Sequence, residues 1–388
     1  MTIVDDSRIR IGIDGRELEG RRRGIGRYVF ELCRELDRVL PNAEVHVYSR
    51  VPIEMPVISS RWISRVEPSS LGRRLSPLLW LKLRGGAVCR NDGLDVYWGT
   101  AVFLPKLSSR VRTVSTVHDL CFRLTPETFT FGHLQGTRMC FARDVLRADT
   151  VLSISEGTSA RLQSYLGRKA DAIVRPAVDD SFRPQTPDDV LTRRRTYGLS
   201  FPYILSVASW EPRKNLERLV RTVVGMKLRG EIGDRKLVLV GKPGCKYRRL
   251  ERLLADCGTD HVRALGYVPD EELPFLYAGA DAFVCPSTYE GFGIPVLEAR
   301  ACGVPVVASD IPELREAGGA DAIYIEPTEE GIRTGILSAL KRQQKPSTSF
   351  LYPSWRQGAE TLALALLGKP TDGATSTGGE IAGAQHRA

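Results

Sequence analysis

The sequence predicts an α/β protein of two domains, each a parallel sheet flanked by helices. Three observations lead there. Short apolar runs recur along the chain, each followed by a Gly-containing turn and then by a segment with helical spacing. The order strand, Gly turn, helix, strand is found in both halves, around residues 9–49 and again around 282–308. At 388 residues the chain also exceeds what one hydrophobic core ordinarily serves.

Composition narrows the class. With 42% hydrophobic and 26% charged residues, this is the make-up of a soluble globular protein. No run approaches the roughly 18 apolar residues that span a bilayer, and the polar start at residues 1–10 is not that of a signal peptide. The eight cysteines (33, 89, 121, 140, 245, 257, 285 and 302) are scattered, as expected of reduced thiols in a cytoplasmic protein. Residues 1–185 hold 29 Lys/Arg against 21 Asp/Glu, so +8 of the net +9 falls in the first half. Such a half suits an anionic partner, a membrane surface or a phosphorylated substrate. No nucleic-acid motif accompanies it, so nucleic acid is not expected.

Taken in order, residues 9–14 alternate as a first strand. Gly24-Ile25-Gly26-Arg27-Tyr28 then opens a helix with Ile25, Tyr28, Val29, Leu32, Cys33 and Leu36 on one face. Strand, glycines and helix start form a phosphate-cradling arrangement, although a short Gly-x-Gly also occurs in many structural turns. Arg21, Arg22 and Arg23 read as a solvated loop. Residues 43–49 form a second strand. In residues 71–84, Arg73, Arg74, Lys82 and Arg84 are interleaved with leucines and Trp80. Two readings stay open: a segment lying in a membrane interface, or a domain helix with snorkelling cations. Strands at 94–98 and 111–117 follow, the second ending in His118-Asp119. His133 lies in a loop-like stretch. A helix at 137–149, a strand at 150–155 with a Ser-capped helix behind it, and a strand at 172–176 complete the first domain. Residues 182–202, rich in Pro and charge, read as the connection.

The second half opens with a strand at 203–207 and the loop Pro212-Arg213-Lys214-Asn215, where Asn215 is a candidate N-cap for a helix carrying Leu216, Leu219, Val220 and Val223. Strands at 236–240 and 262–265 and a short helix at 273–278 precede the apolar run 282–285. The turn Ser287-Thr288-Tyr289-Glu290-Gly291-Phe292-Gly293 leads into a helix at 294–302, with Pro295 in its first turn and Gly303 past its end. A strand at 304–308, a helix near 330–342 and an Ala/Leu-rich helix at 355–367 follow. Residues 369–388 lack the apolar content to pack and are expected to be disordered. The expected division is 1–184, 185–350, a C-terminal helix at 351–368 and the tail.

The turn at 287–298 carries the chemistry. Gly291 and Gly293 allow close backbone approach, and the free N–H groups at the helix start attract anionic oxygens. Glu290 lies before the helix and Glu298 one turn inside it, carboxylates suited to accept hydrogen bonds from sugar hydroxyls at either end of a diphosphate.

Ser287-Thr-Tyr-Glu-Gly-Phe-Gly-Ile-Pro-Val-Leu-Glu298, followed by Ala301-Cys-Gly-Val-Pro-Val-Val-Ala-Ser309, resembles the donor-site signature of glycosyltransferase family 4, retaining enzymes of the GT-B fold. The resemblance is specific over residues 201–326 and rests on a few motifs before that. It implies two Rossmann-like domains with parallel sheets facing across a cleft, the last helix crossing back to the first domain. It also implies roles. Glu290 contacts the transferred sugar and Glu298 the nucleotide ribose, with the amides of Gly291, Phe292, Gly293 and Ile294 between them. Gly24 and Gly26 close over the diphosphate, Arg213 and Lys214 neutralise it, and the loop at 266–269 holds the base. Val117-His118-Asp119-Leu120 matches the family pattern in which the His faces the sugar beside the acceptor. Ala208-Ser209 departs from the family's frequent Gly-Arg or Gly-Thr, leaving Arg213 to serve instead.

The expected function is transfer, with retention, of a hexose from a nucleotide diphosphate sugar to a saccharide acceptor in cell-surface polysaccharide synthesis. The resemblance points to mannose from GDP-mannose, a polyprenyl-diphosphate-linked acceptor and a cytoplasmic protein peripheral at the inner membrane face. No Asp-x-Asp motif lies at the donor site, so no metal or other cofactor is expected. The alternatives are a UDP- or dTDP-sugar donor, a non-hydrolysing epimerase of the same fold, and a catalytically silent sugar-nucleotide-binding protein.

Overall fold

A computed structural model describes residues 8–20, 24–129, 131–342 and 353–371. Its first sheet contains β1 (Arg10–Asp14), β2 (Glu44–Ser49), β3 (Trp62–Val66), β4 (Val96–Gly99), β5 (Arg112–Val117), β6 (Thr150–Ser153) and β7 (Ala172–Ile173). All neighbours are parallel, in the order β3-β2-β1-β4-β5-β6-β7. The second sheet contains β8 (Tyr203–Val207), β9 (Lys236–Val240), β10 (Val262–Gly266), β11 (Ala282–Cys285), β12 (Val306–Ser309) and β13 (Ile323–Ile325). It is also parallel, in the order β10-β9-β8-β11-β12-β13. In each sheet the chain winds outward one way and then the other. The direction reverses between β1 and β4 in the first and between β8 and β11 in the second, and such switch points leave a crevice at the carboxyl ends of the strands.

Helices cover both faces, so the central strands are continuous apolar runs. Every residue of β4, β11 and β12 is buried. The Ile25–Val39 helix buries Tyr28, Val29, Leu32, Cys33, Leu36 and Val39, the stripe its spacing predicts. Against it packs the Trp355–Leu367 helix, where Gly358 leaves room for Leu32 and Trp355 meets the edge of Tyr28 at 6.0 Å. That helix starts with a Ser354/Gln357 capping box and ends at left-handed Gly368.

Several elements were less legible. β3 and β13 sit at sheet edges and are only partly buried, so their apolar runs are short. The Pro187–Thr196 helix lies in the stretch read as connection and buries none of its residues. It stands on its Thr186 cap, Pro187, an acidic first turn and a basic last turn. The Phe131–Arg147 helix begins earlier than the sequence pattern. Arg21–Arg23, the His133 side chain, residues 343–352 and the tail from 372 lie outside the described residues.

The 71–84 segment packs through part of its length, while Leu71, Leu79 and Leu83 stay exposed. It forms short helical turns in which Trp80 and Leu81 are fully buried. Trp80 Nε1 donates to Glu67 at 2.8 Å, and Arg84 reaches the same carboxylate at 3.1 Å. Lys82 donates to Asp144 and, at 2.8 Å, to the Leu104 carbonyl. Glu67 and Asp144 are wholly buried acids, and a buried charge requires a partner. Two of the four cations are therefore structural counter-ions. Among the described residues no helix is long and apolar enough to cross a membrane.

Candidate active site

The predicted site residues gather at the two switch points. β8 feeds the loop holding Arg213 and Lys214; β11 feeds the turn holding Glu290 to Gly293; β5, next to β4, ends at His118. The second-sheet loops are pressed together, since a Cβ on Gly241 would lie 1.9 Å from the Ala208 carbonyl oxygen. Gly293 begins the Ile294–Ala301 helix at φ 108°, where a Cβ would meet Leu314 at 2.5 Å. Only glycine fits there. Pro295 brings no N–H to the first turn, and the N–H groups of Val296 and Leu297 donate to the Gly293 carbonyl at 2.9 and 3.2 Å.

Glu290 is the hub. Lys214 Nζ lies 2.6 and 2.7 Å from its two oxygens, Arg213 Nη1 is 3.0 Å from Oε2, and Ser287 Oγ donates at 2.7 Å. Arg213 is itself aimed by Glu211 (2.9 Å), which accepts from Ser209 (2.7 Å). Burial would raise the Glu290 carboxyl, but the charges of Lys214 and Arg213 outweigh it and hold it down to about 2. For Arg213 burial works against the charge, and Glu290 more than compensates, raising its pKa further above the usual arginine range. The result is a fixed anion between two fixed cations at the mouth of a helix N-terminus. Asn215 is not the side-chain cap its position suggests. It adopts the left-handed conformation, and its Nδ2 donates to the Pro286 and Pro327 carbonyls, tying the cationic loop to the Glu290 turn.

Glu298 is the opposite case. It is buried and pushed up to about 7 by that burial, which Arg27 and Tyr277 only partly offset. Tyr277 Oη donates to Oε2 at 2.9 Å and Arg27 Nη1 approaches Oε1 at 3.3 Å. Arg27 is on the first turn of the Ile25–Val39 helix, so this pair crosses the cleft. Gly24, the residue before that helix, has φ 39°, and Gly26 is buried beneath it.

His118 is buried, and burial lowers its pKa. Its Nε2 is 2.7 Å from the Thr100 carbonyl, which accepts the ring N–H and leaves Nδ1 as the acceptor of a neutral imidazole. The Tyr28 ring meets it edge-on at 5.1 Å. The loop carrying Thr100 is strained at Val102, a β-branched residue at φ 69°. Val102 N donating to Thr116 O (2.9 Å) and Ser115 Oγ donating to Val102 O (2.8 Å) hold it there.

The halves meet at this site. The Gly291 carbonyl accepts from Ser155 Oγ (2.7 Å) and Thr158 Oγ1 (3.0 Å), and Tyr289 Oη accepts from Leu120 N (2.7 Å). A Cβ on Gly291 would lie 2.2 Å from the His118 carbonyl oxygen. Arg161 pairs with buried Glu313 at 2.5 Å, and Arg175 with Glu316 at 2.6 Å. Phe292 is buried and Ile294 half-buried. Sequence reasoning missed Arg27, Tyr277, Ser155 and Thr158. Arg27 had a signal, a cation beside Gly26 at a helix start; Tyr277 had none, since it reads as one more apolar position.

Residues 22–182 match the family described as Glycosyltransferase Family 4, and residues 195–348 match Glycosyl transferases group 1. The chain is 31% identical over 361 residues to the O-antigen chain mannosyltransferase B of Escherichia coli, covering 88% of this chain and 91% of that protein. It is 38% identical over 214 residues to a GDP-mannose-dependent alpha-(1-6)-phosphatidylinositol monomannoside mannosyltransferase of Mycolicibacterium smegmatis, covering 51% and 53%. Among solved structures it resembles the sucrose-phosphate synthase of Thermosynechococcus elongatus, with a TM-score of 0.66 at 19% identity over 92% and 95% of the two chains. Two parallel sheets meeting at their switch points, and these matches along most of its length, make the chain a GT-B glycosyltransferase of family 4.

Proposed function

We propose that the protein transfers mannose from GDP-mannose, with retention, to a saccharide carried on a polyprenyl diphosphate. The single observation that carries this reading is the convergence of Lys214 and Arg213 on Glu290, beside a helix start and opposite His118. Mannose is favoured because both the O-antigen and the phosphatidylinositol mannoside relatives are named as mannosyltransferases, and GDP because the second is named GDP-mannose-dependent.

In this reading residues 185–350 hold the donor, residues 1–184 present the acceptor and residues 351–368 cross back between them. Lys214, Arg213 and the Ile294 helix start stabilise the departing diphosphate, taking the place of a divalent metal. Gly24 and Gly26 close over it from the other side. Glu298 accepts from the ribose, displacing Arg27. Glu290 keeps the two cations aimed and accepts from the transferred sugar, while His118, a neutral acceptor at Nδ1, faces that sugar. No motif carboxylate is free to act as a covalent nucleophile, since Glu290 is held by three donors. Retention then follows a front-face path in which the leaving diphosphate takes the proton of the acceptor hydroxyl.

The test is a panel of GDP-, UDP-, dTDP- and ADP-sugars with the anomeric configuration of the product read by NMR. Exclusive use of another nucleotide, an inverted product, or donor turnover without acceptor glycosylation would overturn the corresponding part.

A further inference from the structure

The pairing of Lys82 and Arg84 takes two of the four 71–84 cations out of a membrane-facing array, and the same packing exposes another surface. The Phe131–Arg147 helix turns an unusual face outward. Its exposed positions include Phe131, Arg138, Met139, Arg143 and Leu146, apolar or arginine throughout. Phe131 is 79% and Met139 77% exposed, extremes for side chains of that size. The one acid in this helix, Asp144, is wholly buried and taken by Lys82. Leu79 and Leu83, also exposed, extend the patch. Their segment is docked on this helix through Leu78, which a Cβ on Gly136 would contact at 3.5 Å, and through the Lys82–Asp144 pair. The sequence contains no Asp or Glu between Glu67 and Asp92. The patch is thus apolar at its centre, cationic at its edges and free of acidic side chains on the helix itself.

We infer that this face docks on an anionic phospholipid bilayer, with Phe131, Met139, Leu146, Leu79 and Leu83 entering the headgroup boundary and Arg138 and Arg143 meeting lipid phosphates. Charge complementarity selects the partner: Arg143 touches buried Asp144 only at 3.7 Å and keeps 64% of its side chain in water, and Arg138 is exposed beside it, so an apolar protein surface would desolvate both, whereas a bilayer seats cations and apolar side chains at their own depth. The position suits a lipid-linked acceptor, and the choice of partner rests on that reading. Asp144 accepts from Leu104 N at 3.1 Å, in the loop whose Thr100 carbonyl holds His118, so the docking helix is fastened to the acceptor side of the cleft.

The experiment is co-sedimentation of the full chain with vesicles of phosphatidylcholine alone or with one-third phosphatidylglycerol. Transfer to a water-soluble acceptor is measured on the same samples, so that failure of docking is separated from failure of the transferase reading. Wild type is expected to sediment with anionic vesicles only and to be released by salt. Arg138→Gln and Arg143→Gln should each lower partitioning about fivefold, the equivalent of about 1 kcal/mol per cation. Phe131→Ser/Met139→Gln/Leu146→Gln should abolish sedimentation, and Leu228→Ser, an exposed apolar site on the other domain, should not. Thermal melts identify any variant that fails to fold, and the two arginine substitutions then decide alone. Equal binding to neutral vesicles, wild-type sedimentation of the variants, or a patch-dependent dimer that binds neither vesicle overturns the inference.

Discussion

Gly291→Ala tests the idea that the site exists only while the two halves touch. An added Cβ would stand 2.2 Å from the His118 carbonyl oxygen and 3.3 Å from Asp119 Cβ. An ordinary contact is about 3.4 Å or more, so the surfaces must part by about 1 Å. The obstacle is backbone anchored at the end of β5, not the tip of a flexible side chain, and cannot swing aside. Parting stretches the Ser155 and Thr158 bonds to the Gly291 carbonyl, each worth about 1 kcal/mol, within the roughly 1–3 kcal/mol usual for overpacking. The fold therefore survives with a lowered melting temperature. Catalysis suffers more, because a misplacement of about 1 Å between reacting groups costs about a hundredfold. We expect kcat/KM to fall by that factor. Nucleotide affinity measured by calorimetry should fall far less than kcat/KM, since Lys214, Arg213 and Glu298 all belong to one half and only Gly24 and Gly26 reach the diphosphate from the other. Gly132→Ala, where a Cβ meets nothing within 4 Å, is the control. Wild-type kcat/KM for Gly291→Ala would refute contact between the halves as a requirement.

Lys214→Ala should lower kcat by about 2–4 kcal/mol in barrier terms, the cost of one preorganised donor, with activity in both proteins unchanged by EDTA; loss on chelation restored by magnesium would refute cation-only stabilisation. Glu290→Gln keeps the shape but frees both cations, so turnover should drop while nucleotide binding holds or tightens. With its folded pKa depressed to about 2, Glu290 adds stability above the unfolded carboxylate value that is lost as pH falls toward 2; acid titration of melting in wild type and Glu290→Gln checks the difference. Glu298 has the opposite sign. Its folded pKa of about 7 means the protonated form favours folding, a contribution present below the unfolded value and lost as pH rises to 7, by about 3 kcal/mol at most. Nucleotide affinity should rise with pH through 7 as the carboxylate forms, and Glu298→Gln should flatten that profile; an unchanged profile would remove Glu298 from the ribose.

How much of this was legible depended on whether a residue's role is local. The strand–turn–helix at 282–301 announced itself through Gly293, Pro295 and a buried apolar run, all consequences of local backbone geometry. Lys214, Arg213 and Glu290 were singled out by the resemblance of their motifs to the family's donor signature, and their mutual pairing is a tertiary fact. Asn215 shows the limit. Its position satisfies the capping rule, yet the left-handed backbone sends its amide to two carbonyls far along the chain. Tyr277 and Arg27 act on Glu298 from distant elements, and no spacing encodes that. At 71–84 the composition was right for an interfacial segment. Two of its cations are instead held by buried acids, Glu67 and Asp144, one outside the stretch and the other far along the chain, and neither pairing shows in local spacing.

The seam between the halves also sets a tempo. Arg161 and Arg175 keep 31% of their side-chain surface in water while Glu313 keeps none, so loosening the seam has to bring water to that buried carboxylate before its pair can open. The backbones of Gly291 and His118 meet directly, so any opening of the cleft to release a product would have to separate them, and a cycle with such an opening would contain one parting and one re-docking, movements of microseconds to milliseconds. Where that step is slowest, added salt would quicken the enzyme and added viscosity would slow it. The joint between the domains is in that sense its escapement.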